Sequence, residues 1–129
     1  MLSMAIRLDH TVVYGVDHVK SGREFAEVMG LPRGRISGVG YDFTAVHVNG
    51  ELSIYFMERD KIGLEQHMAF NVDGASFDGI LHRLNEKGMA FGSSPFDREN
   101  HRTDHDFAPR GLFWTSRDGC LFEVMCYEF

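Results

Sequence analysis

The sequence predicts an α+β fold in which a single domain, residues 1–129, is built from two similar units. Each half shows the same order of patterns: an alternating apolar run, an amphipathic helical stretch, and further apolar runs joined by a turn. Each half also has a histidine in its first predicted strand, His10 or His67. Each predicted helix ends at a glycine, Gly30 or Gly88. A pattern that occurs only twice indicates a duplicated module, because a solenoid needs three or more repeats.

The first unit is expected at about residues 6–58, and it begins with a strand over residues 6–15. Asp17 is placed to cap the following helix, which Gly30 and Pro32 end. The apolar residues of this helix fall on one face: Val19, Phe25, Val28 and Met29. The segment GRISG then predicts a short strand, and two alternating runs around Asn49-Gly50 predict a hairpin.

The second unit is expected at about residues 66–127 and repeats this order. A strand over residues 66–72 leads to Asp73 near the cap of a second helix, and Gly88 ends that helix. Its apolar residues are Phe77, Ile80, Leu81 and Leu84. A long polar stretch follows, and the last two strands meet at the turn Asp118-Gly119.

The composition argues against nucleic acid or a membrane as a partner. The net charge is −6 and the pI about 5.6, whereas both of these partners favour a basic surface. No apolar run approaches the roughly 20 residues of a membrane span, and the first ten residues lack the apolar core of a signal peptide. Cys120 and Cys126 are too far apart in one strand to form a disulfide, so a reducing, cytoplasmic location is expected.

Three residues that can bind a metal stand at matched places in apolar strands. His10, His67 and Glu123 are separated by 57 and 56 residues. A single histidine in a strand is more often a hydrogen-bonded core residue, and a single glutamate is more often solvated or salt-bridged. Together, however, two imidazoles and a carboxylate make a facial ligand set for a divalent ion. Fe(II), Mn(II), Zn(II) and Ni(II) all accept such a ligand set, whereas Ca(II) would need more oxygen ligands.

Three segments resemble the vicinal oxygen chelate superfamily, which contains glyoxalase, bleomycin resistance protein and extradiol dioxygenase. They are LDHTVVYGVD, EQHMAFNVD and GLFWTSRDGCLFEVM, and they span nearly the whole chain. The resemblance implies two βαβββ modules that form an incomplete barrel around a metal, commonly in a dimer. It places His10, His67 and Glu123 at the ligand positions. The turn departs from the family pattern, because Ser116 and Arg117 replace the usual Asp-Pro.

Family members differ at a fourth position, on the strand after the first Asn-Gly, where glyoxalase I has Glu or Gln. In this sequence Leu52, Ile54 and Phe56 are expected in the core, which leaves Tyr55 toward the barrel as the counterpart of Glu123. With a different register the counterpart would be Ile54, and neither residue supplies a carboxylate. A glyoxalase I activity is therefore not favoured. Extradiol dioxygenases use three protein ligands, although their usual tyrosine ten residues before the glutamate is Phe113 here.

The polar segment ENHRTDHDF contains His101 and His105. One interpretation is a solvated loop. The other is a lid over the barrel mouth in which one of these histidines acts as an acid or base. The remaining histidines are expected at the surface: His18, His47 and His82.

The expected function is that of a divalent-metal-dependent enzyme whose small substrate chelates the metal through two oxygens. An extradiol-type dioxygenase is favoured over an isomerase, lyase or thiol transferase. The candidate catalytic residues are His101, His105 and Tyr55. The alternative is a metal-free drug-binding protein that resembles the bleomycin resistance proteins.

A homodimer with shared sites is expected from the short linker between the units. Only about nine residues, ERDKIGLEQ, connect the hairpin to His67, and they span roughly 30 Å at ~3.3–3.6 Å per residue. Such a linker reaches a neighbouring barrel more easily than it doubles back. Each site is therefore expected to take His10 from one chain, and His67 and Glu123 from the other.

Overall fold

Two open β-sheets, one from each half of the sequence, carry two helices in the computed structural model, which describes residues 6–128. Residues 1–5 and 129, which include part of the segment considered for a signal peptide, lie outside the described residues. The elements are β1 (His10–Gly15), α1 (His18–Met29), β2 (Arg35–Ser37), β3 (Phe43–His47), β4 (Ser53–Glu58), β5 (His67–Asn71), α2 (Gly74–Glu86), β6 (Arg110–Thr115) and β7 (Leu121–Cys126).

The two sheets have corresponding strand orders, β1-β4-β3-β2 and β5-β7-β6. In each sheet the first strand runs parallel to the last, and the last two strands form an antiparallel pair. This confirms the expected α+β fold of two related modules with unclosed sheets. Among the described residues, however, the second sheet has no counterpart of β2. At that edge only an isolated β-bridge joins Gly92 to Phe113. The polar segment after Gly92 does not continue as a strand because it is rich in turn-forming residues.

The first strand is shorter than the sequence suggested. β1 begins at His10 and not at residue 6, and residues 6–9 are exposed. The reason is the length of its partner, since β4 begins at Ser53, which pairs with His10. One further hydrogen bond, from the Ser53 N–H to the Asp9 carbonyl, marks the end of the ladder.

Both helices begin and end as their sequences predict. The Asp17 carboxylate accepts hydrogen bonds from two backbone N–H groups of the first turn of α1, and the Asp73 carboxylate accepts one in α2. Gly30 and Gly88 follow the helices with φ angles of 71° and 65°, a left-handed conformation that glycine adopts without strain. Neither helix of residues 6–128 has the length and apolar content that crossing a bilayer requires.

The hydrophobic core joins the two halves through Phe25 of α1. Its ring lies 5.5 Å from the Phe56 ring of β4, and 5.7 and 4.9 Å from the rings of Phe70 and Phe122 in the second sheet. The largest fully buried side chains come from both units and include Trp114, Phe77, Ile54 and Leu112. The units therefore bury one face of each sheet against shared apolar side chains.

The second turn also ties the two units together. The Asp118 carboxylate accepts hydrogen bonds from the backbone N–H of Val16 and from the hydroxyl of Ser21 at the start of α1. Gly15 lies against this contact, and a Cβ atom at that position would overlap both Ser21 and Asp118. Asp118 of the family-like turn therefore acts as a clamp between the units.

Candidate metal centre

Each sheet has one face on the hydrophobic core and one face turned away from it, called here its open face. Strand alternation and register decide which side chains occupy the open faces. On the first sheet these include His10, Val12, Phe43 and Tyr55, and on the second sheet His67, Ala69, Phe113 and Glu123.

Glu123 lies at the centre of the second open face, between two histidines. Its neighbours in the pairing register are Ala69 of β5 and Phe113 of β6. His67 Nε2 is 3.0 Å from Glu123 Oε1, and His105 Nε2 is 2.5 Å from Glu123 Oε2. Glu123 is only 8% exposed, so these contacts supply the polar partners that a buried carboxylate requires.

His10 occupies the other sheet and is 46% exposed at its side chain. Its ring stacks on Tyr55, with the centroids 4.3 Å apart and an angle of 17° between the planes. His10 Nδ1 is 2.7 Å from Asp9 Oδ2. A histidine whose Nδ1 is bonded to a carboxylate is oriented to offer Nε2 to a metal.

The structure thus brings together two of the three predicted ligands, His67 and Glu123, and places His10 on a different sheet. Among residues 6–128, no three His, Cys, Asp or Glu side chains are grouped so that they could hold a metal ion. Within one chain, His67 and Glu123 therefore supply two of the three expected ligands, a pair called here the half-site.

Comparison with solved structures identifies the fold. The oxidase ChaP-H1 is 30% identical in sequence, with a TM-score of 0.85 and coverage of 95% of this chain and 96% of that one. This chain belongs to the vicinal oxygen chelate superfamily. A glyoxalase/dioxygenase from Nostoc punctiforme shares the fold at 14% identity and a TM-score of 0.71, covering 100% of this chain and 97% of that chain.

A further structure of the same superfamily fold was determined with a metal. The fosfomycin resistance protein FosX from Listeria monocytogenes, complexed with Mn(II) and a dihydroxypropylphosphonic acid, is 19% identical. Its TM-score is 0.67, with coverage of 95% of this chain and 90% of that one. No family model and no curated protein matches the sequence.

The chemistry of the half-site fits the divalent ions of the superfamily. Two ligand atoms about 2.1 Å from one ion and at right angles to each other lie about 3 Å apart. The His67 Nε2 to Glu123 Oε1 distance of 3.0 Å matches this separation. A buried carboxylate beside an imidazole is a donor set for Fe(II), Mn(II), Zn(II) or Ni(II). His67 and Glu123 are therefore the residues of this chain that would hold such an ion together.

Tyr55 takes the place in the first sheet that Glu123 takes in the second. Tyr55 pairs with Val12, two residues after His10, just as Glu123 pairs with Ala69, two residues after His67. The expected strand face is observed, since Ile54 and Phe56 are buried on the opposite side. No carboxylate of β4 replaces Tyr55 on this face.

The two histidines of the polar loop have different positions. His105 reaches Glu123, and its ring is stacked on Phe113 with centroids 5.6 Å apart. His101 instead lies with its ring 4.5 Å from Phe91, is exposed, and has a φ angle of 58°. The structure shows no contact between His101 and Glu123, so an acid–base role for His101 stays a prediction.

His18 and Cys120 are both buried in the core. The expectation of an exposed His18 is wrong, because this residue is 7% exposed and its Nδ1 is 2.7 Å from the Thr44 hydroxyl. Burial raises the pKa of the Cys120 thiol to about 12, so this cysteine stays protonated near neutral pH. Neither residue is a further metal-ligand candidate.

Two residues at the site were not singled out from the sequence. Asp9 orients His10, and Gly111 lies beneath His105, whose ring a Cβ atom at position 111 would overlap. Gly111 carried a usable signal, because an isolated glycine inside a strand often marks a close approach by another group.

Proposed function

We propose that this protein is a divalent-metal-dependent enzyme acting on a small substrate that chelates the metal through two oxygens. The 3.0 Å approach of His67 Nε2 to Glu123 Oε1 on an open sheet face carries the proposal. Fe(II) or Mn(II) is favoured, with Zn(II) and Ni(II) as alternatives. The Mn(II) complex of FosX, which has the same fold, supports a divalent ion.

The third ligand in this proposal is His10 of a second copy of the chain. Its Nδ1 is bonded to Asp9, it lies on the open face of the first sheet, and within its own chain it belongs to a different sheet from Glu123. That face also presents the half-buried rings of Phe43 and Tyr55, which a second sheet would cover. In a homodimer with two shared sites, His10 would reach the Glu123 of the other chain, and the Phe43 and Tyr55 rings would be covered.

The side chains around the ligands suit an aromatic or otherwise planar substrate. The Phe43 and Tyr55 rings are stacked with centroids 4.5 Å apart, and Tyr55 in turn stacks on His10. Phe113 lies beside Glu123 in the second sheet. In the assembled site these rings would bind and orient the substrate by burial and stacking, and would exclude water from the reacting atoms.

A bound divalent ion would supply Lewis-acid stabilisation of negative charge on the substrate oxygens. His67 and Glu123 of one chain and His10 of the other would hold the ion. These three ligands would leave the other positions of an octahedral ion open for the substrate. Within one chain each Glu123 oxygen has a histidine partner, His67 at Oε1 and His105 at Oε2. With an ion bound between His67 and Oε1, the contact of His105 with Oε2 would still orient the carboxylate.

An extradiol-type oxygenation is the favoured reaction. Tyr55 occupies the fourth ligand position, where glyoxalase I has Glu or Gln, and this argues against a glyoxalase I-like isomerase. The 30% identical relative is named an oxidase. Isomerase, lyase and thiol transferase activities rank lower.

A metal-free binding protein for aromatic drugs is the second candidate. The continuous stack of His10, Tyr55 and Phe43 on an exposed sheet face favours it. Such a protein would need these rings and would not need Glu123.

Metal analysis separates these candidates. The metal-free protein is loaded with Fe(II) or Mn(II) under anaerobic conditions, desalted, and its metal content measured. We expect one ion for each chain, its loss in His10→Ala, and its retention in His47→Ala. His47 is the matched control, because it is an exposed histidine of the same sheet that contacts Ser53. Failure of the wild type to bind either ion would contradict the enzyme proposal and favour the binding protein.

A further inference from the structure

His105 is the most constrained side chain at the proposed centre. It lies in the loop before β6, and its side chain is only 2% exposed. Its Nε2 is 2.5 Å from Glu123 Oε2. Its Nδ1 accepts hydrogen bonds from the backbone N–H groups of Phe107, at 3.0 Å, and Ala108, at 3.2 Å. Both ring nitrogens therefore have defined partners.

These partners fix the tautomer of His105. Backbone N–H groups can only donate, so the nitrogen that both of them face, Nδ1, must carry the lone pair. The ring proton of the neutral imidazole then lies on Nε2, where it is donated to Glu123 Oε2. To bind a metal through Nε2, the ring would have to move this proton to Nδ1 and lose both backbone hydrogen bonds.

The strand beneath His105 is built to accommodate this ring. Gly111 has no side chain at the place where a Cβ atom would overlap the ring of His105. The backbone N–H of Gly111 donates to the Thr103 carbonyl at 2.9 Å, which holds the loop against β6. The Phe113 ring is also stacked on the His105 ring, with an angle of 12° between the two planes.

We propose that His105 is a positioning residue that holds the Glu123 carboxylate by donating its Nε2 proton to Oε2. Glu123 Oε1 is thereby kept beside His67 Nε2 for the metal. His105 is neither a ligand nor the acid–base group expected from the sequence. This inference rests on the proposed function, because it assigns the role of His105 at the same metal centre.

Two substitutions separate the two ends of the imidazole. In His105→Gln, the side-chain amide can still donate to Glu123 but no longer accepts from the loop. In His105→Asn, the shorter side chain can still accept from Phe107 and Ala108 but does not reach Glu123. Urea unfolding of both variants shows whether each remains folded.

Mn(II) affinity, measured by calorimetry, provides the first readout. We expect His105→Asn to bind Mn(II) about ten- to a hundredfold more weakly and His105→Gln to stay within a few-fold of wild type. With Co(II), the visible spectrum of His105→Gln should keep the wild-type coordination. Equal affinity of His105→Asn and wild type, equal weakening of both variants, or a lost nitrogen ligand in the Co(II) spectrum would overturn the assignment.

Nitrogen-15 NMR of the metal-free protein tests the tautomer without any metal. We expect a protonated Nε2 and an unprotonated Nδ1 at His105, and the reverse would overturn the inference. Absence of metal binding by the wild type would instead refute the proposed function. The two failures are therefore distinguishable.

Discussion

The two sheets share one topology but present different chemistry on their open faces. Tyr55 of the first sheet and Glu123 of the second occupy equivalent positions. Each of them pairs with the residue two places after the first histidine of its sheet. The first sheet therefore offers stacked rings and one histidine, whereas the second offers a carboxylate between His67 and His105. The two sheets therefore share a framework, and single positions within it distinguish an aromatic surface from a buried carboxylate with two histidine partners.

The sheets also differ in how their open faces are covered. The loop that contains His105 covers Glu123, which is 8% exposed, while the side chain of His10 is 46% exposed. A buried carboxylate is retained only where partners compensate its desolvation. Two histidine partners thus hold Glu123 in place on the second sheet, whereas the first sheet presents His10 outward.

Truncation of Glu123 and of Tyr55, each to alanine, should give the largest difference between the two sheets. Glu123→Ala is expected to abolish Mn(II) binding, because it removes the only carboxylate of the proposed ligand set. Tyr55→Ala, the matched change on the first sheet, should leave Mn(II) affinity within a few-fold of wild type. Calorimetric titration of both folded variants checks this comparison. Equal losses in the two variants would mean that the sheets do not differ in the way proposed.

Removal of the side chain that joins the sheets should have the next largest effect, on stability. Phe25 contacts Phe56 in one sheet, and Phe70 and Phe122 in the other. Phe25→Ala is expected to lower the free energy of unfolding by about 3–5 kcal/mol. Phe96→Ala is the control, since Phe96 is 98% exposed and should change stability by no more than about 0.5 kcal/mol. Urea unfolding measures both, and a small effect of Phe25→Ala would refute the shared core.

The helix caps should show the smallest effect and the same sign in both halves. Backbone hydrogen bonds, from Lys20 to Asp17 and from Ser76 to Asp73, lower the pKa of each carboxyl below its ordinary value of 3.8. A lowered folded-state pKa adds stability that is present above that ordinary value and lost as the pH falls through the folded-state pKa. The free energy of unfolding should therefore decrease below about pH 4, and Asp17→Asn or Asp73→Asn should each reduce that decrease. If only one of the two substitutions changed the pH dependence of the free energy of unfolding, the two caps would not be equivalent.

Local features of the fold were predictable because their causes are local. Asp17 and Gly30 delimit α1, since a cap and a left-handed residue act on neighbouring backbone groups. The face of Tyr55 followed from strand alternation alone. The start of β1 did not, because the strand length depends on its partner, which begins at Ser53.

The site was less predictable because it depends on contacts between distant segments. His18 is buried by its contact with Thr44, 26 residues away, which no pattern around His18 indicates. His105 lies in an aperiodic loop, so its contact with Glu123 could not be read from spacing. The nearly equal spacings of 57 and 56 residues singled out the three proposed ligands, but they do not show which sheets face each other.

The central claim, that each site joins His10 of one chain to His67 and Glu123 of another, is tested most directly by subunit exchange. His10→Ala and Glu123→Ala chains with different tags are mixed, and the heterodimers are purified and titrated with Mn(II). If the sites are shared, each heterodimer combines an intact His10 with an intact His67–Glu123 pair at one of its two sites and regains half of the wild-type metal. If the heterodimers bind no Mn(II), as both parent variants should, the three ligands come from one chain and the account is wrong.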